Sequence, residues 1–188
     1  MPPFRVSAAF ALLCCLVTSA CIHTPAVTPR PVSWAPPLEA EGLPNLHRVS
    51  ADLYRCARPG GEGYASARAL GIRTVVDLRD GADQKPREET AGLDVVHIPV
   101  ETHEPTYDEA RAFFDVVDDA ECTPVLLHCF HGADRTGAFT ALYRINREGW
   151  DPEEAIEEMT GGDFNFHTIW LDLVDWVREA PDFPRNNG

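Results

Sequence analysis

Arg135 follows Cys129 by six positions inside the run HCFHGADRTG, residues His128–Gly137. Ahead of it, Pro124–His128 (PVLLH) is a short continuous apolar run, as a central strand should be. Behind it, Ala138, Ala141, Leu142 and Ile145 recur at helical spacing. A strand, a tight loop and a helix N-terminus therefore follow in immediate succession. Such a junction is an anion site before any side chain is counted, because loop N–H groups converge and the helix start carries partial positive charge. A cysteine placed there is favoured as its thiolate, the nucleophilic form. The loop returns Arg135 to the same concavity, where its planar fork suits two oxygens of a phosphate. Gly132 lets the backbone curl around the anion, and Gly137 allows close helix approach. Thr136 is expected to donate its hydroxyl to the Cys129 sulfur. Phe130, His131, Gly132, Ala133, Asp134 and Arg135 are expected to surround the phosphate.

The elements that hold this loop follow from periodicity and punctuation. Arg48–Tyr54 alternates as a strand does, with a break at Ala51-Asp52, and a turn follows at residues 58–61. Glu62–Leu70 is expected to be a short helix stopped by Gly71. Ile72–Leu78 and Leu93–Val100 are apolar strands separated by a polar loop. Thr106 and Glu109 form a capping-box pair for a helix presenting Ala110, Phe113, Phe114 and Val117 on one face. Gly149 ends the helix after the signature loop, and Asp151, Pro152 and Glu154 start the next with an N-cap, a first-turn proline and a capping box. A last helix is expected over about 167–179, with Ile169, Leu173, Val174 and Val177 inward. Alternating strands and helices predict one α/β domain with a mainly parallel central sheet flanked by helices. Ligands of such sheets bind beyond the carboxyl ends of the strands, and His128 is such an end.

The run HCFHGADRTG resembles the Cys-x5-Arg-Ser/Thr signature of the cysteine-based protein tyrosine and dual-specificity phosphatases. The segments LYRCARP (53–59), TVVDLRD (74–80), YRINREGW (143–150) and FNFHTIW (164–170) are similar to those of small secreted bacterial members. The resemblance spans about 46–178. It implies a dual-specificity-phosphatase-like fold and hydrolysis of phosphomonoesters in two displacements. Cys129 attacks phosphorus, an acid protonates the departing tyrosyl or seryl oxygen, and water cleaves the phosphocysteine. No metal or other cofactor is implied, and the His and Cys residues show no ligand spacing.

The family acid is usually an Asp on a separate loop before the cysteine, and this chain has Glu101, Thr102, His103 and Glu104 in that window. Glu104, Glu101 and Asp134 are the candidates, with His103 behind them. Asp134 has a structural alternative, a salt bridge to Arg79 or a cap on the helix. His128 is expected to fix the loop through the backbone, and His131 to line the mouth with Phe130. Asp77 and Arg79 either support the pocket or are surface charges. His167 either caps the last helix or contacts the site, and the tryptophans 150, 170 and 176 are expected in packing roles. Phosphotyrosine or mixed phosphoprotein substrates are the first expectation, because the loop carries no added cation. An inositol-phosphate (phytate-like) phosphatase is the rival enzyme, and a catalytically silent phosphate-binding module the rival outside enzymes.

The net charge of −14 excludes the basic footprint that nucleic acid requires. The apolar run Val6–Val17 is a secretory h-region, and VTSAC, Val17–Cys21, matches a lipobox with Cys21 as the lipidated residue. Residues 1–20 are thus expected to be a lipoprotein signal peptide, with ordinary secretion or a retained anchor as alternatives. The destination is the bacterial cell envelope, on the periplasmic side of the outer membrane or in the periplasm. The proline-rich stretch 21–45 is expected as an extended tether, 46–180 as the phosphatase domain, and 181–188 as a tail. The domain is expected to be a monomer. Cys56, Cys122 and Cys129 remain in the exported chain. Cys122 cannot pair with Cys129 within one strand, since seven residues span about 23 Å. Cys56 is a buried thiol or, as redox control in relatives suggests, a reversible partner of Cys129; a Cys56–Cys122 pair stays open.

Overall fold

Five strands form the central sheet in the order β1-β2-β5-β3-β4. The computed structural model describes residues 22–81 and 87–185. The strands are β1 (His47–Arg48), β2 (Leu53–Cys56), β3 (Thr74–Arg79), β4 (Asp94–Val100) and β5 (Val125–His128). The helices are α1 (Gly63–Ala69), α2 (Tyr107–Val117), α3 (Asp134–Glu148), α4 (Pro152–Gly161) and α5 (Leu171–Arg178). All pairings are parallel except β1 with β2. The expected break at Ala51-Asp52 is a reversal: Ser50 Oγ accepts from the N–H groups of Asp52 and Leu53 at 3.0 Å, so one anticipated strand becomes a hairpin.

The period of two along the strands divides the core. Leu53, Val76, Leu78, Val125 and Leu127 pack with α2 to α5, including Phe113, Phe139, Leu142 and Leu173. Tyr54, Cys56, Val75 and Leu126 point the other way, against Tyr64 and Ala67 of α1. Strand β5 is central and buried throughout, so its end is held from both sides. Thr106 and Glu109 make both bonds of the capping box, and Gly149 closes α3 in the left-handed region at φ 72°. Asp151 caps α4 through the N–H of Glu153 at 2.9 Å.

Three expectations are corrected. Residues 22–45 are not a free tether. The N–H of Thr24 bonds to Phe166 O and that of Val27 to Gly161 O, both at 2.9 Å, and Trp34 and Ala35 are buried. Prolines forbid a helix there but not packing, and the Arg30 guanidinium, lying over the Trp34 and Phe164 rings, donates to the carbonyls of Gly162 and Ala35. The domain also continues past residue 180: Phe183 is buried against Phe114, and Arg147 donates to its carbonyl at 2.7 Å. The last helix starts at Leu171 rather than 167, because His167 is engaged elsewhere, and this leaves Ile169 67% exposed instead of inward. Residues 1–21, with the signal peptide and Cys21, lie outside the described residues, as do 186–188. No described helix is long and apolar enough to cross a membrane.

Candidate active site

Cys129 stands just beyond the end of β5 and is 2% exposed. The residue before it, His128, is registered against Asp77 of β3 on one side and Cys56 of β2 on the other. Its Nδ1 donates to the Cys129 carbonyl at 3.0 Å, which is the loop-fixing role expected of it. Burial lowers the pKa of this imidazole, with Asp77, 3.7 Å away, opposing the shift. Asp77 is itself paired with Arg79 at 2.6 Å. Burial raises that carboxyl's pKa, yet hydrogen bonds from Arg79 and the charge of His128 hold it below the usual range. Asp77 and Arg79 therefore support the strand ends beneath the pocket.

The loop turns at Gly132, whose φ is +69°. A Cβ there would stand 2.4 Å from the Cys56 carbonyl oxygen and 2.5 Å from the Ala57 nitrogen. Glycine is thus required twice over, by conformation and by the close approach of β2. Beneath the loop lies Arg55, fully buried in β2, whose Nη2 donates to Gly132 O at 2.7 Å. Its guanidinium lies 3.7 Å from the Phe164 ring centroid. Burial lowers its pKa to about 10, while the charges of Glu158 and Cys129 oppose this, so it stays cationic near neutral pH. Glu158 is in turn held by Arg144 through two bonds of 2.8 Å and by the Ala35 N–H at 2.6 Å. Sequence reading passed over Arg55 inside the segment LYRC; the signal was a lone arginine in a run whose every residue is buried.

Arg135, in the first turn of α3, sends Nη1 to the carbonyls of Val100 at 2.9 Å and Leu78 at 3.3 Å, with Asp80 at 3.5 Å. Leu78 lies where the β3–β4 register slips between Asp77 and Arg79, across from Pro99, which has no N–H to give, and Val100 is the last residue of β4. Nε and Nη2 of Arg135 make no hydrogen bond among the described residues, so one edge of the fork remains for an anion. Arg135 lines a cleft of about 250 Å³ with Arg58, Arg79, Asp80, Gly81 and Phe130, the last 54% exposed. Arg58 is a mouth cation that sequence reading did not single out. His131 stands beside Phe130 with ring centroids 4.8 Å apart.

Asp134 is not paired with Arg79. Both its oxygens face His167, whose Nδ1 lies 3.0 and 2.9 Å away and whose N–H donates at 2.9 Å. His167 is thereby a site contact and not a helix cap. Glu101, His103 and Glu104 are exposed in the turn after β4, next to Val100, with Glu101 and His103 3.5 Å apart. The Thr136 hydroxyl is buried without a hydrogen bond, so the expected bond to the Cys129 sulfur is not formed. Ala133, fully buried, precedes α3. Cys56, Cys122 and Cys129 are all free thiols. Burial pushes the Cys56 thiol pKa up, and the nearby charge of Cys129 adds to the shift, which fits a buried protonated thiol.

Residues 39–169 match the family model described as DSP-PTPase phosphatase fused to NAD+ kinase. The dual specificity protein phosphatase TpbA of Pseudomonas aeruginosa strain UCBPP-PA14 is 36% identical over 157 residues, covering 81% of this chain and 69% of the relative. Its counterpart in strain PAO1 is 37% identical over 141 residues, 72% of this chain and 62% of the relative. The crystal structure of a cysteine-to-serine variant of P. aeruginosa TpbA in complex with phosphotyrosine superposes with a TM-score of 0.70 at 34% identity, covering 80% of this chain and 92% of that one. The PP-IP phosphatase SIW14 of S. cerevisiae shares the fold, with a TM-score of 0.65 at 16% identity over 76% of this chain and 89% of that one. With Cys129 on a loop set between a central strand and a helix, and relatives that match most of the chain, the chain belongs to the cysteine-dependent dual-specificity family of protein phosphatases.

Proposed function

We propose that this chain is a protein tyrosine or dual-specificity phosphatase of the bacterial cell envelope that works through a phosphocysteine on Cys129. The observation that carries the reading is the posture of Arg135. Nη1 is anchored on the carbonyls of Leu78 and Val100, Nε and Nη2 make no hydrogen bond among the described residues, and the side chain lines the cleft with Phe130 of the Cys129 loop. The thiolate attacks phosphorus, the ester oxygen leaves with a proton, and water cleaves the S–P bond to release phosphate. The proton comes from a carboxylate of the 101–104 turn, since both oxygens of Asp134 are held by His167. The exposed ring of Phe130 at the cleft suits an aryl phosphate, and the TpbA relative binds phosphotyrosine. Turnover of p-nitrophenyl phosphate that disappears in Cys129→Ser is expected. Absence of turnover in reducing buffer across pH 4 to 8 would make the chain a silent phosphate-binding module.

One observation favours the second reading, an inositol-phosphate phosphatase: the cleft gathers Arg58, Arg79 and Arg135 although the loop itself adds no cation. Comparing a phosphotyrosine peptide, a phosphoserine peptide and phytate decides between the two, and the tyrosine peptide is expected to show the highest kcat/KM. The envelope location rests on the lipobox at Cys21. Cys21→Ser is expected to release the protein from membranes, and continued retention of an uncut precursor would defeat the lipoprotein reading.

A further inference from the structure

Spacing along the chain hides a cluster that the fold assembles. His131 comes from the signature loop, Asp134 from the first residue of α3, and His167 from the turn before α5, and one potential ligand atom of each lies within 4.8 Å of the others. We propose that these three residues form a binding site for a divalent cation of the zinc class.

The donor set is two imidazoles and one carboxylate, which suits a borderline cation and leaves a fourth position for water. Bonds of about 2.0–2.1 Å in tetrahedral geometry put ligand atoms about 3.4 Å apart. Asp134 and His167 already sit at 2.9 and 3.0 Å, where a cation would take the place of the proton between them. The exposed side chain of His131 has only to swing inward. The main-chain N–H of His167 also donates to Asp134 Oδ1, so the carboxylate keeps an orienting bond when its contact with the ring nitrogen is replaced. On the other side, His23 pairs across from His167 with ring centroids 4.5 Å apart, which limits how far that ring can turn. Occupancy would clamp the 163–170 turn onto the phosphate loop.

The thiolate is the obvious competitor for the same ions, so the test uses the full chain carrying Cys129→Ser. Titration with Co2+ is expected to give one saturable site with ligand-field bands and no thiolate-to-metal charge transfer, followed by displacement with ZnCl2. The melting temperature is expected to rise with the bound ion. His131→Ala, at an exposed position that the fold does not need, and His167→Ala should each weaken zinc at least about tenfold and abolish the thermal shift, as loss of even outer-shell partners does elsewhere. Glu104→Gln should leave the affinity unchanged, although Glu101, His103 and Glu104 form a second, fully exposed cluster. A charge-transfer band, unchanged affinity in His131→Ala, a loss in Glu104→Gln, or no saturable binding would each overturn the proposal.

Discussion

Arg55 Nη2 donates to the Gly132 carbonyl oxygen across 2.7 Å, so a buried cation on β2 holds the underside of the loop that carries Cys129. A negative charge at Cys129 would favour the charged guanidinium, opposing the burial that lowers the Arg55 pKa. Arg55→Met removes that bond to the loop and is expected to lower kcat/KM on p-nitrophenyl phosphate by about tenfold or more. Arg55→Lys keeps the charge without the fork and should fall between. Stability should change by only about 1–3 kcal/mol, because a lost charge-assisted bond is offset by relief from burying the cation. An unaltered kcat/KM in Arg55→Met would show that the loop keeps its working shape without Arg55.

Gly132→Ala isolates the geometry of the loop from its chemistry. The residue sits at φ +69°, and the new Cβ would meet the Cys56 carbonyl oxygen at 2.4 Å, a backbone atom that cannot rotate aside. The left-handed conformation alone costs about 1–2 kcal/mol for a residue with a Cβ, and the contact adds to it. Urea denaturation is expected to show a loss of at least about 2 kcal/mol, and activity should fall by two orders of magnitude or more as the N–H groups are turned from the anion. Wild-type turnover in this variant would show that the loop tolerates a different path.

Much of this site was legible in the chain because it is local. Cys129, Gly132 and Arg135 are close in sequence, and the strand and helix on either side announce themselves by apolar pattern. What escaped depends on partners far away. Arg55 and Gly132 are separated by 77 positions, and only the parallel pairing of β2 with β5 brings them together. Asp134 meets His167 across 33 positions, which redirected its expected partner from Arg79. The prolines of 22–45 suggested a chain without a core because they suppress periodicity. They carry no information against packing, and Trp34, a large ring amid them, was the residue that contradicted a solvated tether.

The proton donor separates by leaving group. Glu101 and Glu104 are in the exposed turn just after Val100, whose carbonyl Arg135 holds, whereas Asp134 is fastened to His167. On aryl phosphates of rising leaving-group pKa, loss of the true acid hurts the poorest leaving groups most. One of Glu101→Gln and Glu104→Gln is expected to steepen that dependence, with kcat down about 10²- to 10⁴-fold on phenyl phosphate. Asp134→Asn should lower activity evenly across the series, through a displaced loop. A steepened profile in Asp134→Asn alone would return the acid role to the signature loop.

His47 makes stability depend on pH. It is 6% exposed at the start of β1, edge-on to Phe164 with ring centroids 4.7 Å apart, and burial pushes its pKa down to about 4. The unfolded chain titrates this group near the ordinary value of about 6.5. Between those pH values the unfolded state binds a proton that the fold refuses, so stability is full above about 6.5 and declines as pH falls toward 4. At about 1.4 kcal/mol per pKa unit, the loss from this one group approaches about 3 kcal/mol. Carboxylates also titrate in this range, so the informative quantity is the difference between parent and His47→Asn. The parent's urea midpoint is expected to drop more steeply from pH 7 to pH 4.5 than the variant's, and parallel curves would mean that His47 accepts its proton without unfolding cost.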